Sequence, residues 1–576
     1  MAAVALAFGN SLGAPFLFDD VAAVLTNPTI RDLGSWAVLQ PPADGGTTTG
    51  RPIVNLTLAL NYALGGEAPR GYRIFNILLH AASALLVAGL VRRTLVLRES
   101  PGAAGVSENT NAAATTAWLA ALLWALHPLQ TETVTCVAQR TEGLGGLFVL
   151  ATLYAFVRAA TAPTPSAIRR WQIATVVAAA LGMGSKEIAV TAPLLAFLYD
   201  RTFLAGSFAG AWRARRGLCV ALLATTGIAF ALLAAGGGSR GVAAGFGLGI
   251  SSWDYLLTQA QALVMYLRLA VWPHPLVLDY GRDVVSGPAA VWWQGPLVLA
   301  LLGSTVWALV RRPRLGFLGA WFFVLLAPSS SFVPLVAQTM AEHRMYLPLL
   351  PLAVLAAWGL GRFAPFVSVS AGLAAAVALG LTSHARNELY LDPVRMWQDT
   401  VAKRPNNPRA HNNLGWALHQ AGRHEMADTA FARALALAPD YVSAHYNRGV
   451  AALQQGRPDA AATHLAAAVR LAPAHADAHL NLGTALVRLG REGEALPHFE
   501  AALRLRPGAD AHYNRGIALA GLGRSAEAEA AWQAALRLEP ELAPAHFQLG
   551  RLAETAGNTS AAETHYRAAM AADQSD

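Results

Sequence analysis

The chain has 576 residues, of which 54% are hydrophobic and only 14% are charged, with a formal net charge of +8. Soluble domains carry about 25% charged residues, so this composition excludes a wholly soluble protein and predicts that half of the chain or more lies in lipid. The arginines are expected to fix its orientation in a membrane rather than to bind nucleic acid. Two cysteines, Cys136 and Cys219, exclude a disulfide framework. The Ala- and Arg-rich usage is typical of a bacterial protein.

The chain begins with a short apolar stretch, residues 1–9. It would give only about 12 Å of helix, which is too short to cross a bilayer, and it carries no signature of a cleaved signal peptide. We expect it to be the remnant of a first transmembrane helix that begins upstream.

Residues 10–71 are predicted to form a first loop outside the membrane. Near its start, Asp19 and Asp20 stand side by side between Phe18 and Val21. A carboxylate can act as a general base on a hydroxyl group. Aspartate is also a favoured helix cap, so the pair could instead cap a helix that begins at Val21.

A series of apolar runs follows, which is typical of a polytopic bundle of transmembrane helices. The runs are 72–97, 114–127, 143–160, 171–184, 187–200, 217–235, 255–272, 290–310, 315–333, 344–360 and 364–383. Several are shorter than the roughly 20 residues that a spanning helix needs, which indicates tilted or closely packed helices.

Arginine groups between the runs predict the orientation of the bundle. The groups are Arg92, Arg93 and Arg98; Arg158, Arg169 and Arg170; Arg213, Arg215 and Arg216; Arg311, Arg312 and Arg314; and Arg362. If all lie in the cytoplasm, every run crosses the membrane except 255–272, which is predicted to be interfacial or re-entrant. An even number of crossings, about ten, then follows the first loop. The first loop and the C-terminus are therefore expected on the same outer face.

The C-terminal part repeats with a period close to 34 residues. Gly415, Gly449, Gly483, Gly516 and Gly550 recur at spacings of 34, 34, 33 and 34. A small residue midway, an aromatic residue four positions later and a proline at the end complete a pattern typical of tetratricopeptide (TPR) repeats. We expect five repeats over 408–576, preceded by a linker helix at 384–407. The predicted fold is all-α, with a transmembrane helical bundle over 1–383 and a TPR α-solenoid.

One position of the predicted repeats carries an amide side chain each time. The residues are Asn413, Asn447, Asn481, Asn514 and Gln548. Amides both donate and accept hydrogen bonds, so a ladder of them on the concave face could hold an extended acceptor peptide. Helix packing is the alternative explanation.

Histidines recur two residues before the amides. They are His411, His445, His479, His512 and His546. The ligands of one metal ion lie about 2 Å from it, whereas one histidine per repeat is spread along a solenoid. This row therefore predicts no metal site.

Charged and polar residues gather at the predicted outer ends of the apolar runs. Charges at a membrane boundary are costly, so clustering of both signs on one face indicates a site. The predicted donor-phosphate and substrate-binding residues are Arg51, His127, Glu132, Arg140, Lys186, Glu187, His343, Arg344 and Tyr346, with Glu142, Asp279, Tyr280 and Glu342 nearby. Arginine, lysine and histidine can neutralise a phosphate leaving group.

Structural explanations remain open for most of these residues. They are a helix end at His127, a turn pair at Lys186 and Glu187, a salt-bridge network of Arg140, Glu132 and Glu142, and snorkelling of His343 and Arg344 to the interface.

The chain resembles the transmembrane and TPR-repeat-containing protein O-mannosyltransferases in the order of its segments. These are NSLGAPFLFDDVAAVLTNPTI, RPIVNLTLALNYALGG, GYRIFNILLHAASALLV, HPLQTETVTCVAQRTE, GSKEIAVTAPLLAFLYD and AEHRMYLPLL, followed by the repeats. The resemblance covers essentially the whole chain. It implies a GT-C-type glycosyltransferase that uses a polyprenyl-phosphate sugar, mannose or another hexose, with inversion and with no cofactor or obligatory metal.

The resemblance also implies roles for individual residues. Asp19 and Asp20 match the family's catalytic acidic pair, with Asp19 favoured as the base, and Arg344 and Lys186 match positions that face the donor phosphate. The acceptors would be Ser or Thr hydroxyls of exported polypeptides recruited by the outer repeats. The expected location is the bacterial inner membrane.

Two other classes of function stay open. A non-enzymatic TPR scaffold for envelope assembly would need only one or two membrane anchors. A transporter would place charges in the middle of its helices, whereas here they cluster at the ends of the apolar runs.

Overall fold

The computed structural model describes residues 1–42, 46–97, 106–235, 249–281, 283–331, 333–335 and 338–573. Arg98 of the first predicted arginine group lies outside them. The chain forms two compact units, Met1–Lys403 and Arg404–Asp576. Helices make up both units, which confirms the predicted all-α fold with apolar helices followed by a helical repeat region.

The first unit contains long apolar helices joined by short turns. Its α-helices are α1 (Ala2–Phe8), α2 (Pro52–Gly65), α3 (Pro69–Val96), α4 (Val106–Ala125), α5 (Thr131–Thr135), α6 (Arg140–Thr161), α7 (Pro165–Met183), α8 (Ala192–Tyr199), α9 (Phe208–Ala235), α10 (Ser252–Val271), α11 (Gln294–Arg311), α12 (Pro313–Leu326), α13 (Leu350–Leu360), α14 (Pro365–Leu389) and α15 (Pro393–Lys403). Helix α3 packs between α4 and α6, and α7 packs on α6.

Five helices in the described part of the chain are long and apolar enough to cross a membrane. They are α3, α6, α9, α11 and α14. A sixth candidate is the pair Asn111–Ala125 and Pro128–Thr135, which is bent by 55°. These helices support an integral membrane protein.

The remaining predicted crossings fall on shorter or less apolar helices. They correspond to α7, α8, α12 and α13. The re-entrant segment predicted at 255–272 corresponds to α10, which is not among the candidate spans. The crossing number and the sidedness of the chain therefore stay predictions.

The linker helix expected at 384–407 has a different form in the structure. Helix α14 continues past residue 383 to Leu389, and α15 is a separate helix that ends at Lys403, within the first unit.

The first loop has a small apolar core of its own. Val24, Ile30 and Val38 of the loop are buried together with Leu58 of α2 and Val137, which lies just after α5. This core seats the loop that carries the two aspartates on the turn between α5 and α6.

The second unit is a row of helix pairs. Its helices are α16 (Pro408–Gln420), α17 (His424–Leu437), α18 (Val442–Gln454), α19 (Pro458–Leu471), α20 (Ala476–Arg488), α21 (Glu492–Leu505), α22 (Ala509–Gly521), α23 (Ser525–Leu538), α24 (Ala543–Thr555) and α25 (Thr559–Asp573). The recurring glycine allows close contact within a pair, because a Cβ at Gly483 would lie 2.6 Å from the ring of Phe499. Gly490 has a φ of +68° and forms the turn between the same two helices.

Gly483→Val is expected to lower the free energy of unfolding of the repeats by about 1–3 kcal/mol, since overpacking forces neighbouring side chains and backbone to shift. Urea unfolding followed by circular dichroism measures the change. Gly493→Ala is the matched control, because nothing lies within 4 Å of its Cβ position and alanine favours helix over glycine. Equal stability of Gly483→Val and the original chain would contradict the packing argument.

Candidate active site

The two adjacent aspartates have different environments. The Asp20 carboxylate is fully buried, and its Oδ1 accepts a 2.7 Å hydrogen bond from the Ala138 N–H. Its Oδ2 accepts a 3.1 Å bond from the Leu17 N–H. Burial raises the pKa of Asp20, although these amides and the nearby Arg73 lower it. Asp20 makes no side-chain capping bond to the turn that begins at Val21, so the alternative role of a helix cap does not fit this residue. Asp20 instead joins the first loop to the turn before α6.

Asp19 is the member of the pair that reaches solvent, because it is only partly buried. It follows Phe18, whose φ of +49° lies in the left-handed region that residues with a Cβ rarely adopt. The Phe18 ring packs edge-on against Trp397, with centroids 5.7 Å apart. Backbone strain of this kind persists only where the surroundings impose it, and it concentrates at functional sites.

Arg73 of α3 anchors the first loop, and the sequence analysis did not single it out. Its buried guanidinium donates to the carbonyl oxygens of Ala14 and Pro15 in the loop and, over 3.2 Å, to that of Thr135 at the end of α5. The sequence feature that could have identified Arg73 is a charged residue within a long apolar helix. Arg73 therefore helps to hold the segment that leads to the aspartates.

Two ion pairs surround the turn after α7. Lys186 Nζ lies 2.9 Å from Oε1 of Glu142, in the first turn of α6, and Arg51 Nη2 lies 3.0 Å from Oε1 of Glu187. Gly145 permits the first contact, because a Cβ there would lie 2.7 Å from Cβ of Lys186. Burial lowers the pKa of Arg51 to about 10, which leaves the guanidinium charged at neutral pH.

A third pair joins α5 to the turn before α13. His343 Nδ1 lies 2.7 Å from Oε1 of Glu132, and both side chains are nearly buried. The second oxygen of Glu132, Oε2, is buried and has no hydrogen-bond partner in the described part of the molecule. A ligand hydroxyl could donate to such an oxygen.

Electrostatic interactions link the three ion pairs to one another and to the two aspartates. Glu142 interacts electrostatically with His343 and Arg51 as well as with Lys186. The Cys136 thiol, just after α5, interacts with both Glu132 and the acidic pair. We call the residues of the three ion pairs, Arg51, Glu132, Glu142, Lys186, Glu187 and His343, the acid–base cluster.

Arg344 lies at the edge of the acid–base cluster and holds a loop. Its guanidinium donates to the carbonyl oxygens of Ser329 and Thr339 over 3.3 and 3.0 Å, and also to that of Gln338. It interacts electrostatically with Glu142. In these contacts Arg344 stabilises the loop at the edge of the site.

Arg140 also makes structural hydrogen bonds inside the protein. It is fully buried and donates to Asn76 Oδ1 over 2.9 Å, to the Thr57 carbonyl over 3.0 Å and to the Tyr72 carbonyl over 2.9 Å. Its partners are neutral oxygens of α2 and α3, rather than the carboxylates of a salt-bridge network. Arg140 thus fixes these helices on α6.

His127 and Tyr346 also make structural contacts. His127 Nδ1 accepts from the Leu129 N–H over 3.2 Å, and its Nε2 lies 3.2 Å from the carbonyl oxygen of Ala270. The Tyr346 hydroxyl lies 3.0 Å from Nδ1 of the buried His80. The helix-end explanation of His127 fits these bonds.

Glu342 lies at the centre of a separate buried network. Its Oε1 accepts from the Val277 N–H over 2.6 Å and from the Tyr280 hydroxyl over 2.8 Å. Its Oε2 pairs with Arg386 Nη2 at 2.7 Å. Burial raises the pKa of Glu342, and Arg386 opposes that rise. Asp279 caps the neighbouring turn through a 2.9 Å bond from the Gly281 N–H.

The amide ladder makes bonds between successive repeats. Asn447 donates to Asn412 Oδ1 over 3.1 Å, and Asn481 donates to the Tyr446 hydroxyl over 3.3 Å. Asn514 instead donates to a carbonyl of its own helix over 2.9 Å. Asn413, Asn447, Asn481, Asn514 and Gln548 are all partly exposed. Peptide binding by this row stays a prediction.

Comparisons with known proteins agree with both parts of the chain. Tetratricopeptide-repeat family models match residues 427–473 and 446–510, and also 408–441 and 509–542. Protein O-mannosyl-transferase Tmtc2 of Drosophila melanogaster is 28% identical over 53% of this chain and 32% of its own length. Tmtc1 of the same fly is 27% identical over 75% and 60%, and mouse TMTC4 is 27% identical over 73% and 64%. The chain thus spans about a third to two thirds of the length of these curated relatives.

Two of the similar solved structures cover less than a third of the chain. MamA of Desulfovibrio magneticus RS-1 is 24% identical over 29% of this chain and 96% of its own, with a TM-score of 0.28. YrrB, described as a TPR protein with an unusual peptide-binding site, is 22% identical over 31% and 93%, also with a TM-score of 0.28. The fly and mouse alignments cover three quarters of the chain and so include membrane segments as well as repeats. They confirm the predicted resemblance: over both parts of the chain, the protein is similar to proteins named protein O-mannosyl-transferases.

Proposed function

We propose that the protein is a membrane-integral glycosyltransferase that moves mannose or a related hexose from a polyprenyl-phosphate carrier to Ser or Thr hydroxyls of polypeptides. The observation that carries this proposal is the asymmetry of the acidic pair: one carboxylate, Asp19, reaches solvent beside the acid–base cluster, while its neighbour is buried. The names of the matched relatives, protein O-mannosyl-transferases, support the same reaction class.

In the proposed mechanism, Asp19 is the general base. Its carboxylate accepts the proton of the acceptor hydroxyl while the hydroxyl oxygen forms a bond to the anomeric carbon of the sugar. The bond from that carbon to the phosphate oxygen breaks, and the electron pair leaves with the lipid monophosphate. Because attack and departure occur on opposite faces, the anomeric configuration inverts. Asp20 and Arg73 position the loop and do not touch the substrate.

Lys186 and Arg51 are the proposed ligands of the departing phosphate. Lys186 is the more exposed member of its ion pair, 18% against 6% for Glu142, whereas Arg51 is 11% exposed and its partner Glu187 34%. Preorganised cations stabilise the charge that develops on a leaving group more than they stabilise the ground state. Arg344 supports this region through the loop that it holds, and the outer repeats would recruit the acceptor.

The proposal is tested with the full chain in detergent, a Ser/Thr-containing acceptor peptide and synthetic β-linked polyprenyl-phosphate mannose. Mass spectrometry should show a hexose added to the peptide, and an α-mannosidase should remove it because inversion converts the β-linkage to an α-linkage. GDP-mannose without the lipid donor serves as the control and should give no product. Transfer from GDP-mannose alone, a β-linked product, or no transfer from the lipid donor would overturn the proposal.

Lys186→Met is expected to lower kcat/KM for the lipid donor by about 10²–10³-fold, the effect of removing one group that stabilises developing negative charge. Lys186→Arg should retain part of the rate because it keeps the charge. Lys403→Met is the matched control: that lysine lies in the same unit, pairs with Asp399 at 2.6 Å and donates to the Leu276 carbonyl over 2.9 Å. Equal losses in the Lys186 and Lys403 variants would argue against a role in donor binding.

A further inference from the structure

In the described part of the second unit, three helix pairs each contain two histidines whose Nδ1 atoms lie within hydrogen-bond distance of each other. One histidine lies in the first helix of the pair and the other follows 19 residues later in the second helix. The Nδ1–Nδ1 distances are 3.3 Å for His445 and His464, 3.0 Å for His479 and His498, and 3.1 Å for His546 and His565. The first ring of each pair belongs to the row of histidines seen in the sequence, and its partner lies 19 residues later.

A backbone carbonyl orients the first ring of each pair. His445 Nε2 lies 3.0 Å from the carbonyl oxygen of Pro439, and the equivalent distances at Pro473 and Pro540 are 3.1 and 3.0 Å. A carbonyl oxygen only accepts, so Nε2 carries the proton and Nδ1 of the neutral ring presents a lone pair to the second histidine. Histidines that bind metals are held in the same way, with the other ring nitrogen donating to a carbonyl or carboxylate.

The separation of the rings also fits a shared metal ion. An imidazole nitrogen binds zinc at about 2.0–2.1 Å, so two nitrogens at an angle of roughly 90–110° lie about 2.9–3.4 Å apart. The observed distances of 3.0 to 3.3 Å fall within that interval. Neither helix would have to move for an ion to replace the hydrogen bond between the rings.

We propose that each of these three histidine pairs is a two-imidazole site for a divalent first-row transition metal ion, Cu²⁺ or Zn²⁺, with water completing the coordination. In the described part of the chain no group of three or more His, Cys, Asp or Glu side chains could hold a metal, so each pair would bind through two protein ligands. Before binding, the second ring carries its proton at Nδ1 and donates it to the first ring. On binding, that proton moves to Nε2 of the second ring by exchange with water, so that its Nδ1 lone pair faces the ion and a neutral pair loses no net proton. The ion would link the two helices of one repeat.

Neighbouring charges rank the three sites. At the first pair, Arg448 and Arg457 interact with His464 and would repel a cation, although Asp428, which pairs with Arg448 at 2.8 Å, opposes them. The carboxylate of Glu494 interacts with His498, and that of Glu529 interacts with His565. Both carboxylates would attract a cation. We therefore expect the sites at His498 and His565 to bind more tightly than the site at His464.

The chain also contains its own comparison positions. His411 bonds the Pro405 carbonyl over 2.9 Å as the paired histidines do, but position 430, 19 residues later, is alanine. His512 likewise precedes Ala531 by 19 residues. His411 and His512 have no histidine 19 residues later, so they should not form metal sites.

The test uses the full chain without a polyhistidine tag, stripped with chelator and kept in detergent. Cu²⁺ is titrated with electron paramagnetic resonance as the readout, which detects nitrogen ligands, and Zn²⁺ is titrated by calorimetry. His464→Gln, His498→Gln and His565→Gln should each remove one equivalent, the triple variant should remove three, and His411→Gln and His512→Gln should remove none. Circular dichroism verifies folding, and the single variants suffice if the triple variant does not fold. Unchanged stoichiometry in the paired variants, or equal losses in the His411 and His512 variants, would overturn the proposal.

Discussion

Asp19→Asn is expected to lower the turnover of sugar transfer by about 10²–10⁴-fold, the contribution typical of a positioned general base. The amide cannot accept the proton of the acceptor hydroxyl, yet it has nearly the same shape, so the fold and donor binding should be retained. Because Asp19 is partly exposed, the amide of the variant keeps access to solvent. Single-turnover kinetics with the lipid donor, together with donor binding measured separately, resolve the chemical step from the binding step.

Two neighbours of Asp19 sharpen this prediction. Asp32→Asn changes an exposed acid of the same loop whose Oδ1 accepts from the Gly34 N–H, and it should leave turnover unchanged. Asp20→Ala should mainly lower stability, by about 1–3 kcal/mol, since it leaves the buried Ala138 and Leu17 amides without their acceptor. If Asp19→Asn kept full turnover while Asp20→Asn, in a folded protein, lost it, the roles assigned to the two aspartates would have to be exchanged.

The repeat period and the gathering of charged residues could be predicted because each follows from a local rule. The spacing of Gly483 and its equivalents determines where paired helices approach, and the cost of charge in lipid drives polar side chains to the ends of apolar runs. Lys186 and Glu142 lie in segments joined by one helical hairpin, so their contact follows once α6 and α7 pack together.

The division of roles within the acidic pair could not be predicted, because it depends on distant backbone groups. The amide that binds Asp20 belongs to Ala138, 118 residues later in the chain. Arg140 was expected among carboxylates and instead bonds neutral oxygens of α2 and α3, an arrangement that no residue pattern specifies. Burial at these positions is a property of tertiary packing rather than of local sequence.

The histidine pairs show a different reason for an incomplete prediction. Each row of histidines is visible in the sequence, and a period of 34 relates successive members of one row. The second row is related to the first by 19 residues, the offset that brings the two helices of one repeat face to face. Contacts within a repeat therefore follow a second spacing, which must be combined with the repeat period before the paired positions can be recognised.

Arg386→Leu is expected to lower the free energy of unfolding of the first unit by about 3–5 kcal/mol, the usual effect of removing one partner of a buried ion pair. Glu342 would keep its bonds from the Val277 N–H and the Tyr280 hydroxyl but lose Arg386, the cation that opposes the burial-induced rise of its pKa. Its pKa would therefore rise further. A carboxyl group whose folded-state pKa is raised favours folding below its unfolded pKa and loses that contribution as the pH rises through the folded pKa.

The stability deficit of Arg386→Leu should accordingly be larger at pH 8 than at pH 5, as measured by thermal unfolding in detergent. Arg386→Leu combined with Glu342→Gln removes the unpaired charge and should recover much of the loss, whereas Glu342→Gln alone leaves Arg386 buried without its carboxylate. The resulting double-mutant cycle isolates the coupling between the two side chains. A deficit that does not change with pH, or a double variant as unstable as the sum of the two single variants, would mean that Arg386 acts through packing rather than through its charge on Glu342.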